Sequence, residues 1–132
     1  MRLFLLLTIT LFTFFIFSCK GDNNDPTAPE VTISGSWTRI ITDAQGLQFT
    51  AELKFNGNNT YDFILLSDTP GHTNSTAEFT LKDDQITIIN DTDCGVDGIY
   101  NFTITTTKLT LTAVNDQCTP RKAAIEGVWT NK

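Results

Sequence analysis

Residues 47–55, LQFTAELKF, alternate without a break: Leu47, Phe49, Ala51, Leu53 and Phe55 are apolar, while Gln48, Thr50, Glu52 and Lys54 are polar. Successive side chains of a strand point to opposite faces, so a period of two marks a strand with one dry face and one wet face. The next four residues, Asn56-Gly57-Asn58-Asn59, carry a hairpin signal because Asn-Gly tolerates positive φ. Beyond that turn Tyr61, Phe63 and Leu65 continue the apolar row.

The same rhythm runs through the rest of the chain. After the turn SDTPG (67–71), TAEFTL (76–81) places Ala77, Phe79 and Leu81 inward. A four-residue loop, KDDQ, pairs Leu81 with Ile86 and Phe79 with Ile88, which keeps the face. IYNFTI (99–104) and KLTLTA (108–113) pair Ile104 with Leu109, Phe102 with Leu111 and Tyr100 with Ala113. TPRKAAIEG (119–127) reads as a single short helix, with Thr119 as N-cap, Pro120 at the first helical position and Gly127 just past the end. Adding SWTRII (36–41) and VWTN (128–131) gives about eight short strands joined by hairpins. Each has one apolar face, so the sheet must close or sandwich. Consecutive hairpins predict an all-β, up-and-down antiparallel barrel with one short helix before the last strand, ahead of a β-sandwich.

A small eight-stranded barrel is filled by side chains or holds one small ligand. The inward rows carry Phe49, Phe55, Tyr61, Phe63, Phe79, Tyr100 and Phe102, which would line an apolar, aromatic-walled site or simply form the core. Small inward residues are few (Ala51, Ala77 and Ala113), which favours a filled centre with at most a shallow pocket at one mouth.

The N-terminus has another logic. Arg2 precedes fifteen uncharged residues, Leu3 to Phe17, then Ser18 and Cys19. As a helix that run spans roughly 22 Å, short of a ~30 Å hydrocarbon core, so it reads as a secretory signal rather than a membrane span. The segment 19–31, containing Asp22, Asp25, Pro26, Pro29 and Glu30, is too polar to offset its ordering entropy and reads as a tether. The expected organisation is therefore signal peptide 1–18, tether 19–31 and barrel domain 32–132. With Cys19 set aside, Cys94 and Cys118 remain in an exported domain, which favours one disulfide. The hairpin register puts Cys94 opposite Thr119, so the bond requires a bulge or a departure from the strand near Asn115 to Gln117.

Four resemblances follow from these residues. Ser18-Cys19 at the end of the apolar run resembles a bacterial lipoprotein signal, which implies acylation of Cys19 and anchoring through the acyl chains. Lys20 and the following acids resemble an export signal of surface lipoproteins, which implies the outer face of the outer membrane, with the periplasmic face as the alternative. Gly35-Ser36-Trp37 on the first strand resembles the G-x-W of the lipocalin and calycin superfamily. That implies an arginine packed across Trp37, with Arg121 as the candidate. The tail is similar to lipocalin-like domains of bacterial lipoproteins in its Asp116, Cys118, Arg121, Gly127 and Trp129. Gly35, Trp37, Arg121 and Trp129 are then expected to close one end of the barrel.

The net charge of −6 leaves no basic patch to neutralise phosphates, so nucleic acid is not an expected partner. His72, the single histidine, sits in TPGHTNS, an expected exposed turn with no sign of a Ser-His-Asp set. Asp91, Asp93 and Asp97 around Gly95 form a weak calcium-loop pattern without EF-hand spacing, and solvated turn acids are the plainer reading. No cofactor is expected. The chain is thus expected to be a monomeric, non-catalytic envelope lipoprotein that binds a small hydrophobic ligand. The alternative is an interaction module in which loops such as SDTPGHTNS bind a protein or glycan around a filled barrel.

Overall fold

A computed structural model describes residues 32–132. The expected signal peptide 1–18, Cys19 and the expected tether to residue 31 lie outside the described residues. Eight strands follow one another as β1 (Gly35–Thr42), β2 (Gln48–Phe55), β3 (Thr60–Leu65), β4 (Ser75–Lys82), β5 (Gln85–Ile89), β6 (Gly98–Ile104), β7 (Lys108–Asp116) and β8 (Gly127–Asn131). A single helix, α1 (Thr119–Ile125), precedes β8. Each strand pairs antiparallel with its neighbours in sequence, and β8 returns to β1 to close the barrel. Closure removes the free edges that a sheet of eight amphipathic strands would otherwise expose.

The registers follow from turn length. Leu81 faces Ile86 and Phe79 faces Ile88, while Tyr100, Phe102 and Ile104 face Ala113, Leu111 and Leu109. In the β2–β3 turn the left-handed residue is Asn59, at φ 61°, rather than Gly57. Asn56 N–H donates to the Thr60 carbonyl (2.8 Å) and closes that turn.

Trp37, Leu53, Tyr61, Ile86, Ile88, Tyr100, Leu109, Leu111, Ile125 and Trp129 are almost wholly enclosed. Both indoles satisfy their N–H locally: Trp37 Nε1 donates to the Ile33 carbonyl (3.0 Å) and Trp129 Nε1 to the Ile125 carbonyl (2.9 Å). Two expected core residues are not core. Leu47 is 41% exposed and Leu81 is 47% exposed. Alternation fixes the face of a residue but not where the barrel wall ends, and both lie at strand ends.

The helix also begins one residue earlier in role than expected. Cys118 is the N-cap, without a side-chain cap bond, and Thr119 is already helical. The cap position is held instead by Asp116, whose Oδ1 accepts the Cys118 N–H at 2.8 Å. At the far end Gly127 takes φ +137°, a conformation that suits glycine, and turns the chain into β8.

Strand alternation places the connections β1–β2, β3–β4 and β5–β6, together with α1, at one end of the barrel. The chain enters β1 at the opposite end.

Candidate functional site

The α1 end is built on a buried polar cluster. Gly98 opens β6 and pairs with Asp116 on β7. A Cβ at Gly98 would lie 2.7 Å from Arg121 Nη2 and 2.7 Å from Asp116 Oδ2, so a hydrogen is what lets the ion pair approach the strand. Arg121, on α1, donates from Nε to Asp116 Oδ2 and from Nη2 to Asp116 Oδ1, both at 2.8 Å. Its Nη1 donates to Asp91 Oδ2 at 3.2 Å. The Tyr100 hydroxyl donates to the same Asp116 Oδ2.

This is a buried charge cluster with its polar atoms satisfied, the condition under which buried charges are tolerated. Burial pushes the Asp116 carboxyl up, but the hydrogen bonds from Arg121, Tyr100 and the Cys118 N–H outweigh it and hold the carboxyl below its usual range. Burial, reinforced by the Asp116 acceptor, pushes the Tyr100 phenol above its usual range.

The Cys94–Cys118 disulfide, with Cα atoms 5.5 Å apart, ties the β5–β6 loop to the start of α1 beside this cluster. The departure from regular register that the bond needs is a bulge between Ile99 and Tyr100, where Val114 on β7 is left over. It lies one residue before the expected stretch Asn115 to Gln117.

Arginine and tryptophan do meet at this end, but the partners are not those expected. The Arg39 guanidinium lies 4.7 Å from the Trp129 ring. Its Nη2 donates to the Ala124 carbonyl (2.8 Å) and the Ala123 carbonyl (3.3 Å), and its Nη1 to the Glu126 carbonyl. Arg39 thus caps the C-terminal carbonyls of α1 while covering Trp129. Arg121 is engaged with carboxylates instead of Trp37. Gly35, exposed at φ +125°, sits at the entry to β1, away from the α1 end.

Between α1, the β5–β6 loop and the β3–β4 loop lies a cavity of about 260 Å³. Its walls include Tyr61, Phe63, His72, Asp91, Asp93 and the disulfide. The barrel centre is different. The gap among Leu53, Phe55, Tyr61, Ile86, Ile88, Leu111 and Ile125 leaves no room for a water molecule. Of the seven aromatic candidates for a ligand wall, only Tyr61 and Phe63 border the mouth cavity. Phe49, Phe55, Phe79 and Tyr100 are buried in the core, where Phe55 and Phe79 pack edge to face at 5.3 Å, and Phe102 is half-buried.

His72 is not a freely exposed turn residue. Its Nε2 lies 3.1 Å from Asp43 Oδ2, and its ring centroid is 4.5 Å from that of Phe49. The contact draws the β3–β4 loop onto the β1–β2 turn, and the hydrogen bond from His72 lowers the Asp43 carboxyl. The calcium-loop pattern does not form. Asp91 directs one carboxylate oxygen to Arg121 and the other to the Asp93 N–H. Among the described residues no group of three or more acidic, histidine or cysteine side chains converges as for a metal ion. Nor is any helix among them long and apolar enough to cross a membrane.

No family model, curated protein or solved structure matches the chain.

Proposed function

We propose that this chain is a lipid-anchored, non-catalytic binding domain of the cell envelope, and that it takes a small ligand at the α1 mouth of its barrel. The observation that carries this reading is the division of space: a centre closed to water and a 260 Å³ cavity at one end. A filled barrel is a rigid support, and a site on a rigid support is pre-organised. At 260 Å³ the cavity falls just below the ~300 Å³ at which pockets begin to take drug-sized ligands, which suits something smaller. Mixed aromatic and charged walls favour a ligand with both an apolar body and a polar group.

The anchor fits the same arrangement. Acylation at Cys19 would attach the chain upstream of β1, and β1 begins at the end away from the mouth. The mouth would then lie at the end of the barrel opposite the point where the tether joins it. Cys19→Ala should move the protein from the membrane fraction to the soluble fraction; retention in the membrane would refute the anchor. Ligand capture is tested by mass spectrometry of native complexes of the full chain against a small-molecule library. Binding that persists when Tyr61 and Phe63 are both changed to leucine would place the ligand elsewhere.

A second reading, an interaction module that binds a protein, rests on the outer wall. Ile40, 68% exposed, and Val128, 51% exposed, flank a surface hollow with Thr38, Thr50 and Thr130.

A further inference from the structure

The geometry points to a small organic ammonium cation, a compact amine on an apolar body, as the ligand of the α1 mouth. This rests on reading that cavity as the binding site. The single guanidinium at its wall, Arg121, is fully engaged: Nε and Nη2 on Asp116, Nη1 on Asp91. Two carboxylates against one guanidinium already leave the wall with excess negative charge. Asp93 adds to it. Its backbone N–H donates to Asp91, its side chain is exposed, and no lysine or arginine among the described residues pairs with it. His72 brings no free cation, because its Nε2 faces Asp43. An anion entering here would meet uncompensated carboxylates in a partly dry site, where Coulomb forces are stronger than in water.

A second and independent observation comes from Tyr61. It is 2% exposed and borders the cavity, and its phenol oxygen finds no hydrogen-bond partner among the described residues. Burial together with the Asp91, Asp116 and Asp93 charges keeps that phenol protonated. A neutral phenol facing a cavity offers an oxygen that an N–H donor can use. The Tyr61 and Phe63 rings border the same space, and aromatic faces attract ammonium groups once water is excluded. Carboxylate, phenol oxygen and aromatic wall together select a positive nitrogen on a small apolar body. A metal ion would find too few converging ligands.

Three probes of one shape separate charge from fit: benzylammonium, benzyl alcohol and benzoate, titrated into the purified full-length chain at pH 7. Calorimetry gives affinity, and amide chemical shifts give location. Benzylammonium is expected to shift Tyr61, Phe63 and Asp93 and to bind at least about tenfold tighter than benzyl alcohol, with benzoate inert. Asp93→Asn should weaken benzylammonium about three- to tenfold and leave benzyl alcohol unchanged. The matched control, Asp83→Asn on the β4–β5 turn, should change neither. If benzyl alcohol or benzoate moves the same amides with equal or greater affinity, the ammonium assignment is wrong while the mouth remains a binding site. If benzylammonium shifts only residues outside the mouth, or Asp93→Asn has no effect, the assignment is likewise wrong. If none of the probes perturbs the mouth, both the assignment and the reading of the cavity fall.

Discussion

Replacing Arg121 with methionine keeps an unbranched apolar stem, though a shorter one, and removes the guanidinium and its charge. In the structure the Arg121 side chain is 2% exposed, and its partners Asp116 and Asp91 are 0% and 5% exposed. Breaking a buried pair by deleting one partner costs about 3–5 kcal/mol, because the remaining charge is left without compensation. In a domain of this size 1 kcal/mol shifts Tm by about 4–8 °C, so Arg121→Met should lower Tm by at least about 12 °C at pH 7.

The pH dependence gives the sharper test. In the parent chain the Asp116 carboxyl is held below its unfolded value, so its contribution is fully present above that value, about pH 4, and is lost as pH falls through the folded value. In the variant Asp116 loses its counter-charge, and burial, which already pushes its carboxyl up, raises its folded value instead. The variant should therefore lose stability as pH rises through the acidic range towards neutrality. The two Tm curves, followed by circular dichroism, should converge only below about pH 4, as Asp116 takes up its proton in the parent, and diverge towards pH 7. A Tm loss below about 5 °C at pH 7, or a gap that does not change with pH, would refute the account of the cluster. Arg121→Lys, which keeps a charge but not the bidentate fork, should fall between the two.

Gly98→Ala should cost about 1–3 kcal/mol by overpacking, and the share due to the guanidinium should vanish in an Arg121→Met background while the close approach to Asp116 remains, as measured by a double-mutant cycle in urea. Changing Cys94 and Cys118 together to serine opens a closure spanning 24 residues and should remove about 3.5 kcal/mol in the chain-entropy model, seen as a lower urea midpoint. Arg39→Lys loses the fork on the last α1 carbonyls and the stack on Trp129; about 1–2 kcal/mol should be lost in thermal denaturation.

What the chain discloses without coordinates depends on whether the rule that governs it is local. The Leu81–Ile86 and Tyr100–Ala113 pairs follow from alternation and turn length, both contained within one hairpin. The disulfide needed only cysteine parity and the approximate register. The arginine–tryptophan contact is different, because it depends on how β8 returns to β1, and that closure is non-local. A local signal nevertheless existed. Arg39 shares its face with Trp37 and Ile41, so alternation placed a cation among inward residues, and such a cation must find carbonyl or carboxylate partners. Gly98 and Asp116 gave no comparable signal, since a glycine that makes room for a guanidinium looks like any other glycine. Glu52 sits on the outer face as alternation requires, yet is 6% exposed because the side chain of Lys132 covers it. Burial on the outer face of a closed sheet cannot be read from one strand.

The α1 end concentrates both the restraints and the free space of the fold. α1 has seven residues, too few to be stable by its own hydrogen bonds, so it depends on what holds it. Three restraints do so: the disulfide at its first turn, Arg121 on two carboxylates and Arg39 on its last carbonyls. Two of them also fix residues that border the cavity, since Asp91 and Cys94 belong to the β5–β6 loop. Loss of the disulfide should therefore loosen the mouth more than the barrel. In hydrogen exchange on the doubly serine-substituted chain, amides of 91–97 and 119–126 should lose protection before those of β2 and β3. Uniform loss across all strands would mean that the helix and the barrel unfold as one unit, and the mouth would then have no independent mobility with which to admit a ligand.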